Sequence, residues 1–209
     1  MMRRPCMILV CVAVALNLAF PAFAAQGDDP DWPCIQRKVP QLSLGQIWNG
    51  VELQPATSEW MKDAIVSALV VELSARRVLL TEAQQKIRTY AHGLPESERD
   101  RHMTMLVRGL FDHMDRERSE VISGIARYAH RQRDMAARLR QEASAVDTLR
   151  ARPDADPDEL ALQNDRLVFE TRVFQERAQS LSFVCEVPTL IEQRLYALTK
   201  TISQLLQAR

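Results

Sequence analysis

The residues best suited to covalent chemistry are two cysteines, Cys34 and Cys185, which lie far apart in the 209-residue sequence. Neither belongs to a Cys-x-x-Cys motif or has a histidine beside it, which is the usual setting of a redox-active thiol. In an oxidising compartment the two are expected to form one structural disulfide that closes a loop of about 150 residues. A bridge between two copies of the chain is the alternative.

An acidic triplet has the spacing of metal ligands. Asp154, Asp156 and Asp158 match the first three ligand positions of a calcium loop. The sixth position, however, is Glu159 where such a loop needs glycine, and Pro157 stiffens its middle. A solvated turn that leads into a helix N-terminus explains the same carboxylates. We therefore predict no metal site here, with calcium binding as the alternative.

The four histidines are spaced too widely to place two metal ligands on one helix face: His92, His102, His113 and His130. Glu98 is four residues before His102, a pair that we interpret as a surface contact. The sequence contains no Cys-x-x-Cys-His haem motif, and no Ser-His-Asp arrangement can be singled out. We predict no catalytic residue and no cofactor, and therefore a protein that is not an enzyme.

Residues 1–24 have the features of a secretory signal peptide. Two arginines precede an apolar run of about fifteen residues, and Ala22-Phe23-Ala24 provides the small-x-small pattern for cleavage. A retained membrane anchor is the alternative, although an anchor needs roughly 20 apolar residues. Export to the periplasm or the medium is therefore expected. Cleavage would leave Cys34 and Cys185 as the remaining cysteines.

The charge balance argues against nucleic acid as a partner. The whole chain has 27 basic and 27 acidic residues, and removing the two signal-peptide arginines leaves 25 against 27, a net charge of −2. No net basic field remains to attract a polyanion. Arginines are frequent between residues 127 and 140, but acidic residues alternate with them. We interpret them as a solvated helix flank, with an anionic surface as the alternative partner.

The first stretch after the signal peptide, residues 25–56, is predicted to be extended. It contains four prolines and no helical period, yet its apolar residues are too numerous for a free tail. We expect a strap that lies on the helices and is tied to them by Cys34. The rest of the chain, residues 57–209, predicts a single all-α domain, because it has few aromatic residues and few glycines and is dominated by helical periods.

Two short helices are predicted first. One begins at Thr57, and its buried face is predicted from apolar residues at three- and four-residue spacing: Trp60, Met61, Ala64, Ile65, Ala68, Leu69, Val71 and Leu73. The other begins at Thr81, whose hydroxyl forms a capping box with Gln84, and ends at Gly93 in a left-handed conformation. Pro95 then occupies the first position of the next helix.

Two long helices follow, over residues 95–152 and 158–208, joined by a five-residue turn at residues 153–157. Apolar residues recur every seven positions in the last helix: Leu160, Leu167, Phe174, Leu181, Pro188, Leu195 and Ile202. Matching rows in the preceding helix contain Val121, Tyr128, Met135 and Leu149, and Ile125, Leu139 and Val146. Such seams predict an antiparallel coiled-coil hairpin.

Folding the hairpin about Ala155 pairs positions whose numbers sum to about 310. Val121 then faces Pro188, and Ile125 lies near Cys185. We expect a helical head formed by residues 57–120 and 185–207, and a stalk formed by residues 121–184. A kink is expected at Pro188, which lacks a backbone donor.

Two resemblances accompany these patterns. The segments Asp31-Trp32-Pro33-Cys34 and Val184-Cys185-Glu186-Val187-Pro188 resemble an uncharacterised group of exported, all-helical proteobacterial proteins, which implies compartment and fold but no activity. Leu80-Thr81-Glu82-Ala83-Gln84 is similar to the Leu-Thr-x-x-Gln motif of the Spy and CpxP periplasmic chaperones, which are helical dimers that shield unfolded clients. The second copy of that motif is missing, and the long stalk departs from that fold.

The expected function is that of an exported helical scaffold that presents its hairpin to another exported or envelope protein. The predicted contact residues are at the hairpin tip: Arg150, Arg152, Asp154, Asp156, Asp158 and Glu159. A Spy-like chaperone or stress-sensing protein is the alternative. Neither the partner nor the oligomeric state follows from the sequence.

Overall fold

The computed structural model describes residues 29–208, and these residues form helices and no strand. The helices are α1 (Leu44–Ile47), α2 (Ala64–Ser74), α3 (Leu80–Gly93), α4 (Glu96–Arg150) and α5 (Pro157–Gln207), with a 3-10 helix (Pro55–Lys62) before α2. The predicted signal peptide, residues 1–24, lies outside the described part of the chain. Among the described helices, none is long and apolar enough to cross a membrane. The predicted all-α fold is confirmed.

Helices α4 and α5 form the predicted antiparallel hairpin. They contain 55 and 51 residues, so each is about 80 Å long at 1.5 Å per residue. The α4 side of the seam is buried at Met135, Leu139, Val146 and Leu149, as the seven-residue rows predict. The turn ends at Asp156, whose carboxylate accepts a hydrogen bond from the Asp158 N–H at 2.9 Å and so caps α5.

The predicted register of the hairpin is also confirmed. Arg118 Nε donates to Glu192 Oε1 at 2.5 Å, and these residue numbers sum to 310. Ile125 packs against Cys185 in one buried cluster, as predicted. Helix α5 continues through Pro188, which cannot donate the usual hydrogen bond to a carbonyl one turn earlier. A kink at that position stays a prediction.

The head core forms where the short helices cover the start of α4 and the end of α5. Its buried residues come from four helices: Val66, Val70 and Leu73 of α2, Ile87 of α3, Met103, Leu106 and Leu110 of α4, and Ile191, Leu195, Leu198 and Ile202 of α5. This arrangement explains why the apolar face of α4 is wider near its start than a two-helix seam requires.

The single helix predicted from Thr57 is wrong, because Asp63 interrupts it. The segment before Asp63 is a 3-10 helix, and α2 begins only after it. The Asp63 carboxylate accepts hydrogen bonds from the N–H groups of Ile65 at 3.0 Å and Val66 at 2.9 Å. An aspartate that satisfies two free donors in this way makes a helix start more stable than a continuous helix through the same position.

The buried face predicted for this helix is also wrong in part. Trp60 and Leu73 are buried as expected, but Met61, Ile65 and Val71 are 63%, 60% and 58% exposed. Ala64 and Ala68 are exposed too, and Leu69 is half-buried. The helix break at Asp63 shifts the angular register, so α2 buries its Val66 and Val70 side instead.

The predicted ends of α3 differ from the observed ones. Helix α3 begins one residue before Thr81, with Leu79 at the cap position and no side-chain cap, so Thr81 and Gln84 form no capping box. Thr81 lies inside the first turn, where its hydroxyl cannot cap the donors that begin the helix. Gly93 ends α3 as predicted, but without a positive φ. Pro95 caps α4 rather than beginning it.

The strap lies on the helices as predicted, although it contains the unpredicted single turn α1. Trp48 is buried in the head core. Thr199 Oγ1 donates to the Ile47 carbonyl at 3.2 Å, and the Leu42 N–H donates to Asp115 Oδ1 at 3.3 Å. These contacts attach the strap to both long helices.

A disulfide joins Cys34 to Cys185, with their Cα atoms 5.5 Å apart. Both cysteines are buried and pack against Ile125. The predicted intrachain bridge is confirmed, and it attaches the strap where the stalk leaves the head. Further along α4, Arg133 contacts the Pro30 carbonyl and lies 2.5 Å from Asp31 Oδ1.

The bridge gives a first prediction. Cys34→Ser together with Cys185→Ser removes a cross-link across 151 residues, so the free energy of unfolding should fall by up to about 5 kcal/mol in the chain-entropy model. Urea unfolding of the variant and the wild type measures this change. Thiol labelling of the unreduced, denatured wild type should find no free cysteine, and one reactive thiol per chain would contradict the assignment.

Two glycines of α4 give a second, matched prediction. A Cβ at Gly109 would lie 2.6 Å from Val70 Cγ2, whereas one at Gly124 would meet nothing closer than 3.9 Å. Gly124→Ala should therefore stabilise the protein by up to about 1 kcal/mol through helix propensity. Gly109→Ala should destabilise it, because α2 packs directly on that glycine. Equal effects of the two changes in thermal unfolding would contradict this packing.

Candidate protein-docking site

The predicted contact residues lie where the sequence placed them, at and beside the turn between α4 and α5. Arg150, Arg152, Asp154, Asp158 and Glu159 are exposed, and Asp156 is also solvent-accessible. Their ion pairs are short-range: Arg150 with Asp147 at 2.8 Å and Arg152 with Asp154 at 3.3 Å. Exposed pairs of this kind add little stability, so exchanging them for contacts with a partner would cost the fold little.

The three tip aspartates do not converge on one point. Asp156 caps α5 through the Asp158 N–H, while Asp154 pairs with Arg152. Within residues 29–208, no group of three or more His, Cys, Asp or Glu side chains is arranged to hold a metal ion. At the tip, Asp156 therefore serves as the cap of α5.

The stalk holds the tip away from the head. The apolar contacts of the head core extend along α4 to Val121, and Arg133 bonds to the strap. From Arg133 to Arg150 the helix extends about 25 Å further. A polar tip at the end of such an arm is accessible to a partner from several directions.

Sequence reasoning missed a second apolar row on α5. Its members are large and exposed: Leu162 (72%), Phe169 (66%), Phe183 (74%) and Leu190 (50%). We call these four residues the outer row. Each lies two positions after a member of the partly buried seam row of α5, which places it about 200° around the helix from the seam. Leu162 also lines a groove with Glu142 and Val146 of α4. The seven-residue spacing of the outer row was the signal in the sequence that could have revealed it.

The outer row is broad enough to act as a surface rather than as isolated side chains. Val168 and Val184 are 61% and 42% exposed next to its two phenylalanines. Glu176 occupies the central position of the row and accepts a hydrogen bond from Arg172 Nε at 3.0 Å. An exposed apolar patch of this kind, flanked by charged residues, is typical of protein–protein contact.

The head contains a polar cluster that the sequence did not indicate. His102 is 8% exposed, its Nδ1 lies 2.9 Å from the Tyr90 hydroxyl, and its Nε2 lies 3.3 Å from Glu98 Oε2. Asp63 Oδ2 approaches Nδ1 at 3.6 Å. The predicted contact between Glu98 and His102 is present and Glu98 is exposed, but its interpretation as a surface pair is wrong for His102, which is buried between α2, α3 and α4.

A groove of about 730 Å³ lies beside this cluster, between the 3-10 helix, the preceding strap and α4. Its charged lining residues are of both signs: Glu52, Glu59, Lys62, Asp63, Asp100 and Arg101. Asp63 belongs both to this lining and to the His102 cluster, and its other carboxylate oxygen caps α2. The cluster therefore stabilises the wall of the groove and the start of α2 together.

Comparison with known proteins adds no relative: no family model, no curated protein and no solved structure matches the chain.

Tyr90 gives a prediction about this cluster. Burial raises the pKa of Tyr90 to about 12, and the nearby Asp63 carboxylate acts in the same direction. Since the folded-state pKa lies above the ordinary value near 10, the contribution of this group to stability is complete below about pH 10 and is lost as the pH rises toward 12.

Tyr90→Phe should remove the phenolate absorbance step near pH 12 and reduce the loss of stability between about pH 10 and 12. Tyr196→Phe is the matched control, because Tyr196 is 52% exposed. Ultraviolet titration together with urea unfolding at each pH measures both effects. A Tyr90→Phe variant with the same high-pH titration as the wild type would contradict the cluster.

Proposed function

We propose that the chain is an exported helical scaffold that presents the tip of its hairpin to another exported or envelope protein. The observation that supports this most directly is the projection of the stalk: α4 continues about 25 Å beyond Arg133, its contact with the strap. An arm of this length buries less apolar surface per residue than a globular head. A docking role would explain this length, because the stalk extends the tip beyond the head toward a partner.

Export is supported by two independent features. The first residues have the composition of a signal peptide, and the described part of the chain contains a buried intrachain disulfide. Disulfides persist in the periplasm and outside the cell, whereas they are rare in the cytosol.

The composition of the tip is suited to selective contact. Both signs of charge are present within ten residues, and the fold uses the Asp156 carboxylate as a helix cap. Complementary charges on a partner would add orientation and a faster association rate. The same features would make binding sensitive to salt.

A Spy-like chaperone is the second candidate, and one observation favours it. The outer row exposes two phenylalanines, and Met61 and Ile65 are exposed on the head. Apolar surfaces of this size could bind an unfolded client. Suppression of the aggregation of an unrelated unfolded protein at near-stoichiometric amounts would place the chaperone first.

The tip proposal is tested by replacing Asp154, Asp156 and Asp158 with serine. Serine can also cap α5, and the tip contributes little to the core, so the melting temperature should change by no more than about 2 °C. Capture of the partner from a periplasmic extract should be lost. The control variant is Asp134→Ser with Asp165→Ser, which removes exposed acidic groups from the stalk and should retain capture.

Two results would contradict the proposal. Unchanged capture by the tip variant would show that the tip is not the docking end. A sharp fall in melting temperature, together with a calcium-dependent shift in the wild type alone, would show that the tip is a metal loop.

A further inference from the structure

The outer row has an internal symmetry along α5. Read in either direction, the residues at seven-position spacing are Leu162, Phe169, Glu176, Phe183 and Leu190. Glu176 is the midpoint, so leucine corresponds to leucine and phenylalanine to phenylalanine across it. Because the seam row also steps by seven, the outer row keeps a constant angular offset from the seam over its whole length.

We propose that the outer row binds the outer row of a second copy of the chain, in an antiparallel pair with its two-fold axis at Glu176. In this register Leu162 packs on Leu190 of the second copy, and Phe169 packs on Phe183 of the second copy. A two-fold interface requires one patch that is complementary to itself. A row with the same residue types in both directions meets that requirement, whereas an unrelated partner would impose no such symmetry.

The axis itself brings two Glu176 carboxylates together, and the structure supplies their counterions. Arg172 Nε lies 3.0 Å from Glu176 Oε1 within each chain. Two arginines and two glutamates therefore meet at the axis with no net charge. The two Glu176 carboxylates alone would repel each other, but the arginine paired with each of them offsets that repulsion.

The area of the row is suited to a weak, reversible dimer. The four side chains of the outer row expose roughly 450 Å² per chain, taking about 170 Å² for each fully exposed side chain. Both copies together contribute about 900 Å², and the flanking residues bring the total near the lower limit of specific interfaces. A dissociation constant in the micromolar range is expected. The two hairpin tips lie at opposite ends of the paired region, so the dimer presents two tips.

This inference goes beyond the proposed function, and the two can fail separately. Loss of partner capture by the tip variant leaves self-association untouched. A monomeric chain, conversely, leaves tip docking untouched.

Single cysteines test both the pairing and its direction. Glu176→Cys places two thiols at the axis, where facing helices approach closely enough for a disulfide. Leu162→Cys is the matched control on the same row, because its two copies are about 42 Å apart in the antiparallel pair. Oxidation of the purified exported protein at about 50 μM should cross-link Glu176→Cys into a covalent dimer and leave Leu162→Cys monomeric. Cross-linking of both variants would overturn the antiparallel register, and cross-linking of neither would overturn the interface.

Sedimentation equilibrium provides the second test. Phe169→Ser and Phe183→Ser each remove apolar contacts on both sides of the axis, so each should weaken the dimer at least tenfold. Circular dichroism checks that each variant folds. A wild type that stays monomeric up to about 500 μM, or serine variants that associate as tightly as the wild type, would overturn the proposal.

Discussion

The pairing of α4 with α5 is the interaction on which the rest of the structure depends. Neither helix could keep an apolar seam of this length exposed to water, and most helical stability in proteins comes from such packing. Asp156 caps α5 directly after the turn, which allows the second helix to return along the first. Once the seam is closed, the register of every facing pair is determined by the position of the turn.

Two features at the junction of stalk and head follow from that register. Cys185 comes to lie beside Ile125, where Cys34 of the strap can reach it. Arg118, which is 2% exposed, comes to lie beside Glu192. A buried charge without its partner costs several kcal/mol, of the order of 3–5. A slipped register that separated Arg118 from Glu192 would be disfavoured accordingly, so we interpret this pair as a specificity device.

Long-range organisation was predictable because it depends on periodicity. The seven-residue rows predicted both long helices, their antiparallel pairing and the contact of Ile125 with Cys185. The two cysteines outside the predicted signal peptide predicted the disulfide, because an oxidising compartment would leave them few alternatives. Helix starts were less predictable, because a side-chain cap can compete with continuation of a helix. Asp63 caps α2 and so breaks a helix that the apolar spacing favours.

Sequence reasoning missed two features. One is a cluster of residues from different elements that meet only in the folded chain, and the other is a second apolar row on a helix that already has one. Tyr90, Glu98 and Asp63 meet at His102 from different elements, and no short motif reports such a meeting. The outer row was present in the sequence at a regular spacing, but a helix with two apolar faces is easily interpreted by its stronger face alone. The structure distinguishes the two faces, because α4 covers one of them and leaves Phe169 and Phe183 exposed.

A scaffold function requires that the stalk remain extended in solution, and small-angle X-ray scattering measures this directly. The measurement is made at a concentration low enough for the protein to be monomeric. Helix α4 alone predicts a maximum dimension of at least about 80 Å and a radius of gyration well above the roughly 16 Å of a compact chain of this size. A maximum dimension near 50 Å, with a radius of gyration close to about 16 Å, would show that the hairpin folds back on the head and would contradict the account.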